Sequence, residues 1–562
     1  MKLKKYSLIL SFLGVPYIIY SNTIDKKATV TTLILLFLIF LFKNILFSNK
    51  NFHFQEQPYK NLIFIFYIFL LLVLVLITQN SYLNIETIEW DTSSYLVASQ
   101  EITNGFIPNE TQWESKGPLF LYIYNFISES LDKNYLLFRI FNDLILWVIA
   151  VILFLTSYLR KKELNLPLIT SVFFVIMMSQ IWAVSEYSEL YSLIFISLAN
   201  LIFDEKRTNK SALNICGLLI SFSTLINQGT VIFLIPYLLH LLFEKKDKLK
   251  KISLFFLSFS IPHLFFLFMY FQKNLLEIYL ATYITIPLGY SGASFTNVYE
   301  LKVFIRKFYE YDTYLYVAVI LVIIFSVLNL FKKNIKINKL EIKNIIYINL
   351  ICSLLFYFIA SHNYYHHLIF LLFFISLIIT EIRVDIQKII ISVLVIFSSF
   401  TIFTDNYENS IRNLKSGEEL YDNYPLRELS KEIDSYFEGE YTILALDYVL
   451  ILYYLDKPNY SYIVHPSNHY ELFITDTLKR LNLISGNHIS DMINELPDVI
   501  ICNPAMIIRG VPTKIDYYNC AVNDYYKFYK KLDTTEYLRS ENLNYYYDPY
   551  KEINVFIKQG DK

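Results

Sequence analysis

From residue 6 to residue 404 the chain alternates between apolar runs of membrane-spanning length and short polar breaks. The runs fall at roughly 6–20, 29–47, 61–79, 135–158, 166–184, 188–203, 211–227, 229–243, 252–271, 313–331, 345–360, 366–382 and 388–404, which predicts about thirteen transmembrane helices. The first run follows a basic start, "MKLKKYSLIL", as a signal peptide would. It lacks a small-x-small cleavage site, so it reads as a retained helix. After residue 405 the pattern changes. "YTILALD", "YSYIVHP", "DVIICNP" and "EINVFIKQ" read as short strands, and "HYELFITDTLKRLNL" reads as a helix between them. Strand–helix alternation predicts a small α/β domain with a partly parallel sheet. The expected fold is therefore a polytopic α-helical membrane protein with a C-terminal α/β domain. Residues 1–60 would supply two extra helices, 61–404 a transmembrane domain, and 405–562 a soluble domain.

The polar breaks set an orientation. "RKKELN", "DEKRTNK", "EKKDKLKK", "KKNIKINKLEIKN" and "EIRVDIQK" are rich in Lys and Arg. They alternate with "SEYSE", "NQG" and "SHNYYHH", which have neither. The positive-inside rule puts the first set in the cytoplasm. Residues 80–134, the loop 272–312 and the C-terminal domain then lie outside the cell membrane, with Lys26 and Lys27 the exceptions to the pattern. Composition agrees with a membrane protein: 55% of the 562 residues are hydrophobic and 18% charged. The net charge of −1 gives no reason to expect nucleic acid. The sequence has no internal repeat and no Gly-rich phosphate loop. Cys216 and Cys352 lie in apolar runs and read as packing residues. Cys502 and Cys520 are in position to pair if the tail is outside.

The unusual polar residues collect on the outer side. Asp91 opens "DTSSYLVASQEITNG", a short helix with Tyr95, Ala98 and Ile102 on one face. "GPLFLYIYNFI" predicts a second short helix from Pro118. Both are expected in the interface plane. Asp91 reads either as a helix N-cap or as a carboxylate serving as base or metal ligand. Glu186 and Glu189, three residues apart, are expected on one helix face; they read as acids at a positive helix end or as functional carboxylates. Lys116 reads as a snorkelling lysine or, ahead of a helix start, as part of a phosphate site. His362, His366 and His367 form an interfacial Tyr/His belt or a metal-binding turn. Arg139, near the outer end of its helix, is placed to pair with an acid or hold a phosphate. Sugar transfer outside the membrane, where nucleotide sugars are absent, would need a lipid-linked donor, cations for the leaving phosphate and a carboxylate for the acceptor's proton.

The order of Asp91, "DTSSYLVASQEITNG" and "SKGPLFLYIYNF" resembles the C-type glycosyltransferase superfamily, in particular glycosyltransferase family 39, which includes protein O-mannosyltransferases and the lipid A aminoarabinose transferase. The matching positions are Asp91, Lys116, Gly117, Pro118 and Leu119, with Glu186 or Glu189 as the second acid and "SHNYYHHLIFLLFF" as the late outer turn. Lys-Gly-Pro stands where the family has Lys-Pro-Pro, Glu stands for the more common Asp, and the late turn lacks its prolines. The resemblance implies inverting transfer of a sugar from a polyprenyl-phosphate donor to a lipid, glycan or protein acceptor at the outer face. It implies Asp91 as the catalytic carboxylate, either base or ligand to a divalent metal. Glu186 or Glu189 would position the acceptor or metal. Lys116, Arg139, His366 and His367 would hold the donor phosphate, and the tail would cover the site. The rival readings are a glycolipid flippase or transporter, an O-antigen ligase or polymerase, and a non-catalytic sensor. A transporter would put its polar residues near the midplane; here they gather on one face.

Overall fold

The computed structural model describes residues 58–87, 90–184, 186–206, 210–243, 247–291, 298–331, 342–359, 364–382, 384–503, 522–532 and 553–559. The predicted helices at 6–20 and 29–47, His362 and Cys520 lie outside these residues. Cys502 is disulfide-bonded.

Among the described residues the helices follow the apolar runs closely. They are α1 (Pro58–Gln79), α2 (Trp90–Gln100), α3 (Pro118–Ser130), α4 (Tyr135–Lys161), α5 (Asn165–Met177), α6 (Ser188–Lys206), α7 (Lys210–Ile226), α8 (Leu234–Phe243) and α9 (Lys248–Gln272). Next come α10 (Leu276–Leu280), a π-helical turn (Ala281–Thr285) and α11 (Ile286–Ser291), and then α12 (Val298–Tyr311). The bundle ends with α13 (Thr313–Phe331), α14 (Ile342–Ile359), α15 (Ile369–Ile378) and α16 (Asp385–Lys415). Four segments are long and apolar enough to cross a membrane: Asn61–Tyr82, Tyr135–Lys161, Lys248–Gln272 and Asp385–Lys415. The other apolar helices are shorter, with seven segments of 10–17 residues. Eleven of the about thirteen predicted runs fall among the described residues, and those four helices are the longest of them. The segment 272–312, expected as a loop, is largely helical.

Local chemistry accounts for the element ends. Asn134 caps α4 by accepting the Leu137 amide at 3.0 Å, and Lys162 ends it in the left-handed region. α1, α9 and α16 turn large apolar side chains outward, among them Phe66, Phe69, Leu264, Phe268, Phe397 and Phe400, as a lipid-facing surface requires. At one end of the bundle Arg160 donates to Asp204 at 2.7 Å and to Glu381 at 3.1 Å, joining α4, α6 and the 379–381 turn.

α16 has 31 residues, about 46 Å of helix, against a hydrocarbon core of about 30 Å. Its last turns run past the bundle end opposite Arg160. There Ser410 donates to Ile77 O, and Asn413 donates to Asn80 O at 2.9 Å. It continues into α17 (Gly417–Asp422) and α18 (Pro425–Tyr436). The tail that follows has a four-stranded sheet in the order β1-β2-β4-β3, with β1 (Ile443–Ala445), β2 (Val499–Cys502), β3 (Tyr526–Leu532) and β4 (Ile553–Lys558). β1 and β2 are parallel, and the other pairs are antiparallel. Helices α19 (Leu450–Leu455), α20 (Leu472–Arg480) and α21 (His488–Asn494) complete it. "YSYIVHP" is not a sheet strand: its Ile463 makes one parallel bridge, to Trp113 of the 80–134 segment. β3 was not anticipated, because its exposed Lys residues break the alternation expected of a strand.

Segment 80–134 folds against the tail. Gln112 exchanges hydrogen bonds with Asn459, accepting its amide at 2.9 Å and donating to its carbonyl at 3.0 Å. Glu86 accepts the Leu426 and Arg427 amides at 2.8 and 3.2 Å, satisfying the open start of α18. Burial still raises the Glu86 pKa to about 7. α2 is packed inside protein, every residue but Asp91 being buried.

Candidate functional site

The site forms where α2, the Lys116 turn, the start of α6, the 364–368 turn and the tail converge. Trp90 anchors the start of α2 by donating from Nε1 to Asp447 Oδ1 at 2.8 Å, just past β1. Asp91 follows within the first helical turn, so it is not the N-cap. Its Oδ1 lies 2.8 Å from Nε2 of His465, a tail residue. Edge-to-face contacts of Tyr95 with Phe120 and Tyr124 hold α2 on α3.

The Lys116-Gly117-Pro118 turn is tightly specified. The Gly117 amide donates to Ile226 O at 3.0 Å. A Cβ at this position would fall 1.9 Å from Leu225 O. Proline at this position would lose that donor and bring that Cβ, so the turn requires Gly. Pro118 then starts α3. Gln228 donates to Ser115 O at 2.8 Å, tying the turn to the α7–α8 connection. Lys116 Nζ lies 5.7 Å from the Tyr95 ring centre.

Two residues absent from the sequence reading complete the centre. Glu114 is buried. Its Oε1 accepts from Ser115 N and Oγ at 2.7 and 2.9 Å, while Oε2 has no hydrogen-bond partner among the described residues. His465 is brought in by the bridge at Trp113, whose amide donates to Tyr462 O at 2.6 Å. Glu114 offered a signal, an acid two residues before the Lys of the motif. His465 offered none, because only tertiary contact links it to the site.

The candidate metal set is Glu189, His366 and His367, whose ligand atoms lie within 4.8 Å of one another. His367 Nε2 is 3.6 Å from Glu189 Oε1, and His366 stacks on Tyr187 at 4.2 Å. The buried Nδ1 atoms of both histidines lack hydrogen-bond partners among the described residues, so the donor set fits a divalent cation. Asp91 and Glu186 do not form that set. α6 starts at Ser188, so Glu186 precedes the helix and does not share a face with Glu189. Glu186 accepts from Thr92 at 3.0 Å and lies 3.7 Å from Arg139 Nε. Arg139 also donates to the carbonyls of Tyr82, Leu83 and Ile85. The structure thus places Arg139 and Glu186 together beneath α2, as a brace between segments.

The electrostatics separate the acids. Burial opposes the Asp91 charge, but the His465 hydrogen bond and the positive fields of His465 and Lys116 hold its pKa well below the usual carboxylate range. Burial dominates at Glu114 and raises its pKa. Burial also raises the Asp447 pKa, to about 6. His465 is raised despite its burial, by Asp91 and Glu114. Asp91 keeps 18% of its side chain exposed while Glu189 keeps 1%, so Asp91 is the reachable carboxylate of the two.

No family model and no curated protein matches the chain. Among solved structures it is similar to ArnT from Cupriavidus metallidurans in the apo state, at a TM-score of 0.56 and 9% identity, covering 80% of this chain and 94% of that one. It is also similar to the apo oligosaccharyltransferase of Archaeoglobus fulgidus, at a TM-score of 0.44 and 10% identity, covering 80% and 70%. The likeness to ArnT is one of fold.

Proposed function

We propose that the chain is a membrane glycosyltransferase that moves a sugar from a polyprenyl-phosphate donor to an acceptor hydroxyl at the outer face. The observation that carries this reading is the convergence on one point of an ionised, reachable Asp91, the cation Lys116 and the Glu189–His366–His367 set, within a C-type fold. Asp91 takes the acceptor's proton as the hydroxyl attacks the sugar carbon. The bond to the phosphate oxygen breaks on the opposite side, which inverts the carbon. Lys116 faces the leaving phosphate. A divalent cation held by Glu189, His366 and His367 would supply further positive charge to that phosphate. Arg139 is given no phosphate role, since its guanidinium is engaged with carbonyls and Glu186. By the charge pattern of the polar breaks the tail and the site are outside a cell membrane that the chain crosses several times.

The test supplies a panel of polyprenyl-phosphate sugars to membranes carrying the protein and measures released polyprenyl phosphate. Turnover that Asp91→Asn abolishes at equal expression supports the transferase. Translocation of labelled glycolipid without any release would instead establish a carrier.

A further inference from the structure

We infer that His465, delivered by the tail, is a positioning residue for Asp91, so that the catalytic centre is completed only when the tail is docked on segment 80–134. This rests on the transferase reading. The hydrogen bonds define the role. Nδ1 of His465 accepts from the Ser467 amide at 3.2 Å and faces the Ser467 hydroxyl at 3.0 Å. An amide N–H can only donate, so Nδ1 carries no proton in the neutral ring. The proton is then on Nε2, which donates to Asp91 Oδ1 at 2.8 Å. In this tautomer His465 cannot receive a proton from Asp91, because the nitrogen facing Asp91 already holds one and the other is capped. A neutral ring in this tautomer cannot relay a proton from Asp91, and orientation is the role it can fill. His465 engages one carboxylate oxygen and is the single hydrogen-bond partner of Asp91 among the described residues. The second oxygen is left for the acceptor hydroxyl.

The ring itself is held from three sides. Trp90 meets it edge-to-face at 6.0 Å, and Trp90 is fixed by its bond to Asp447. Pro466 and Ser467 start the short 3-10 turn that His465 caps. The Trp113–Ile463 bridge sets the register, placing His465 two residues beyond the paired position. A histidine that served only to cap that turn would not need a buried path to a carboxylate from another part of the chain.

The experiment compares wild type, His465→Ala and His465→Gln in membranes, using the polyprenyl-phosphate sugar that the wild type turns over. Gln keeps an N–H near the Nε2 position. His465→Ala is expected to lower kcat about tenfold or more with the donor KM changed less than about twofold, and Gln to recover to within about threefold of wild type. Unimpaired turnover by the Ala variant overturns the role, as does a Gln variant no better than Ala at equal folded protein. A wild type that releases nothing from any donor overturns the transferase reading instead. Nitrogen-15 histidine NMR of the full chain needs no turnover: an Nε2–H tautomer for His465 whose signal moves in Asp91→Asn is expected, and a proton on Nδ1 of the neutral ring overturns the proposal.

Discussion

Two groups of charge sit at opposite ends of the same two helices, α4 and α6. At one end Arg160, Asp204 and Glu381 satisfy one another with short, direct hydrogen bonds. Some twenty residues back along α4, about 32 Å at helical rise, lies the other group. There Glu114 Oε2 and the Nδ1 atoms of His366 and His367 are buried without partners among the described residues, and Asp91 stays partly open. The first group uses charge to join helices. The second holds polar atoms that folding leaves unpaired, at a cost in stability, as a site meant for a ligand does. Carboxylates at membrane ends are thus not of one kind, and the distinction lies in whether their lone pairs are spent.

The sharpest break of this comparison is Asp91→Asn. Turnover should fall by about a thousandfold, within the range of a lost general base, while the melting temperature in detergent stays near wild type; a parallel loss of folded protein would make Asp91 structural. Arg160→Leu should do the reverse. It strands two partly buried acids and should cost about 1–3 kcal/mol of stability, with turnover per folded molecule unchanged. Gly117→Ala combines both effects, because its Cβ would collide with Leu225 O and push the Lys116 turn off α7. A loss of about 2 kcal/mol is expected, with donor affinity reduced, read by thermal unfolding and by KM.

Glu114→Gln should leave stability equal or higher by about 1 kcal/mol, since it removes an unpaired buried carboxylate oxygen from the charge balance. A strong destabilisation would move Glu114 into the structural group. The smallest effect is on pH dependence at the contact of the tail with segment 80–134. The folded pKa of Glu86 is raised from 4.5 to about 7 and that of Asp447 from 3.8 to about 6. Folded protein therefore binds more protons than unfolded protein between the paired values. Stability from these two groups is greatest at low pH, falls as pH rises through about 4 to about 7, and is flat above. Unfolding of wild type and Glu86→Gln across that range should show a smaller slope in the variant.

Much of this was legible in the chain. Hydropathy located α1, α4, α9 and α16 to within a few residues, except that α16 continues well past the last apolar residue. The Lys116-Gly117-Pro118 start of α3 was readable because Pro at a first helical position is a local rule. Asp91, Lys116, Glu189, His366 and His367 are residue types rare at apolar boundaries, and the fold brings them to one region. Arg139 looks equivalent to these, but the carbonyls and the Glu186 carboxylate that engage it lie on other segments. "YSYIVHP" has strand chemistry, yet among the described residues its Ile463 makes one bridge, to Trp113, outside the four-stranded sheet.

The sequence by itself determined that this is a helical, membrane-type chain with an α/β tail and an acid–cation motif at one end of its bundle. Those properties follow from local rules: side-chain transfer energy, helix starts and the spacing of charges. Only the tertiary structure decided which acids are spent and which are open. It also brought His465 to Asp91 across 374 residues of chain. No local preference encodes such a meeting. It results from the register of one bridge between Trp113 and Ile463, itself set by how the whole tail packs on segment 80–134.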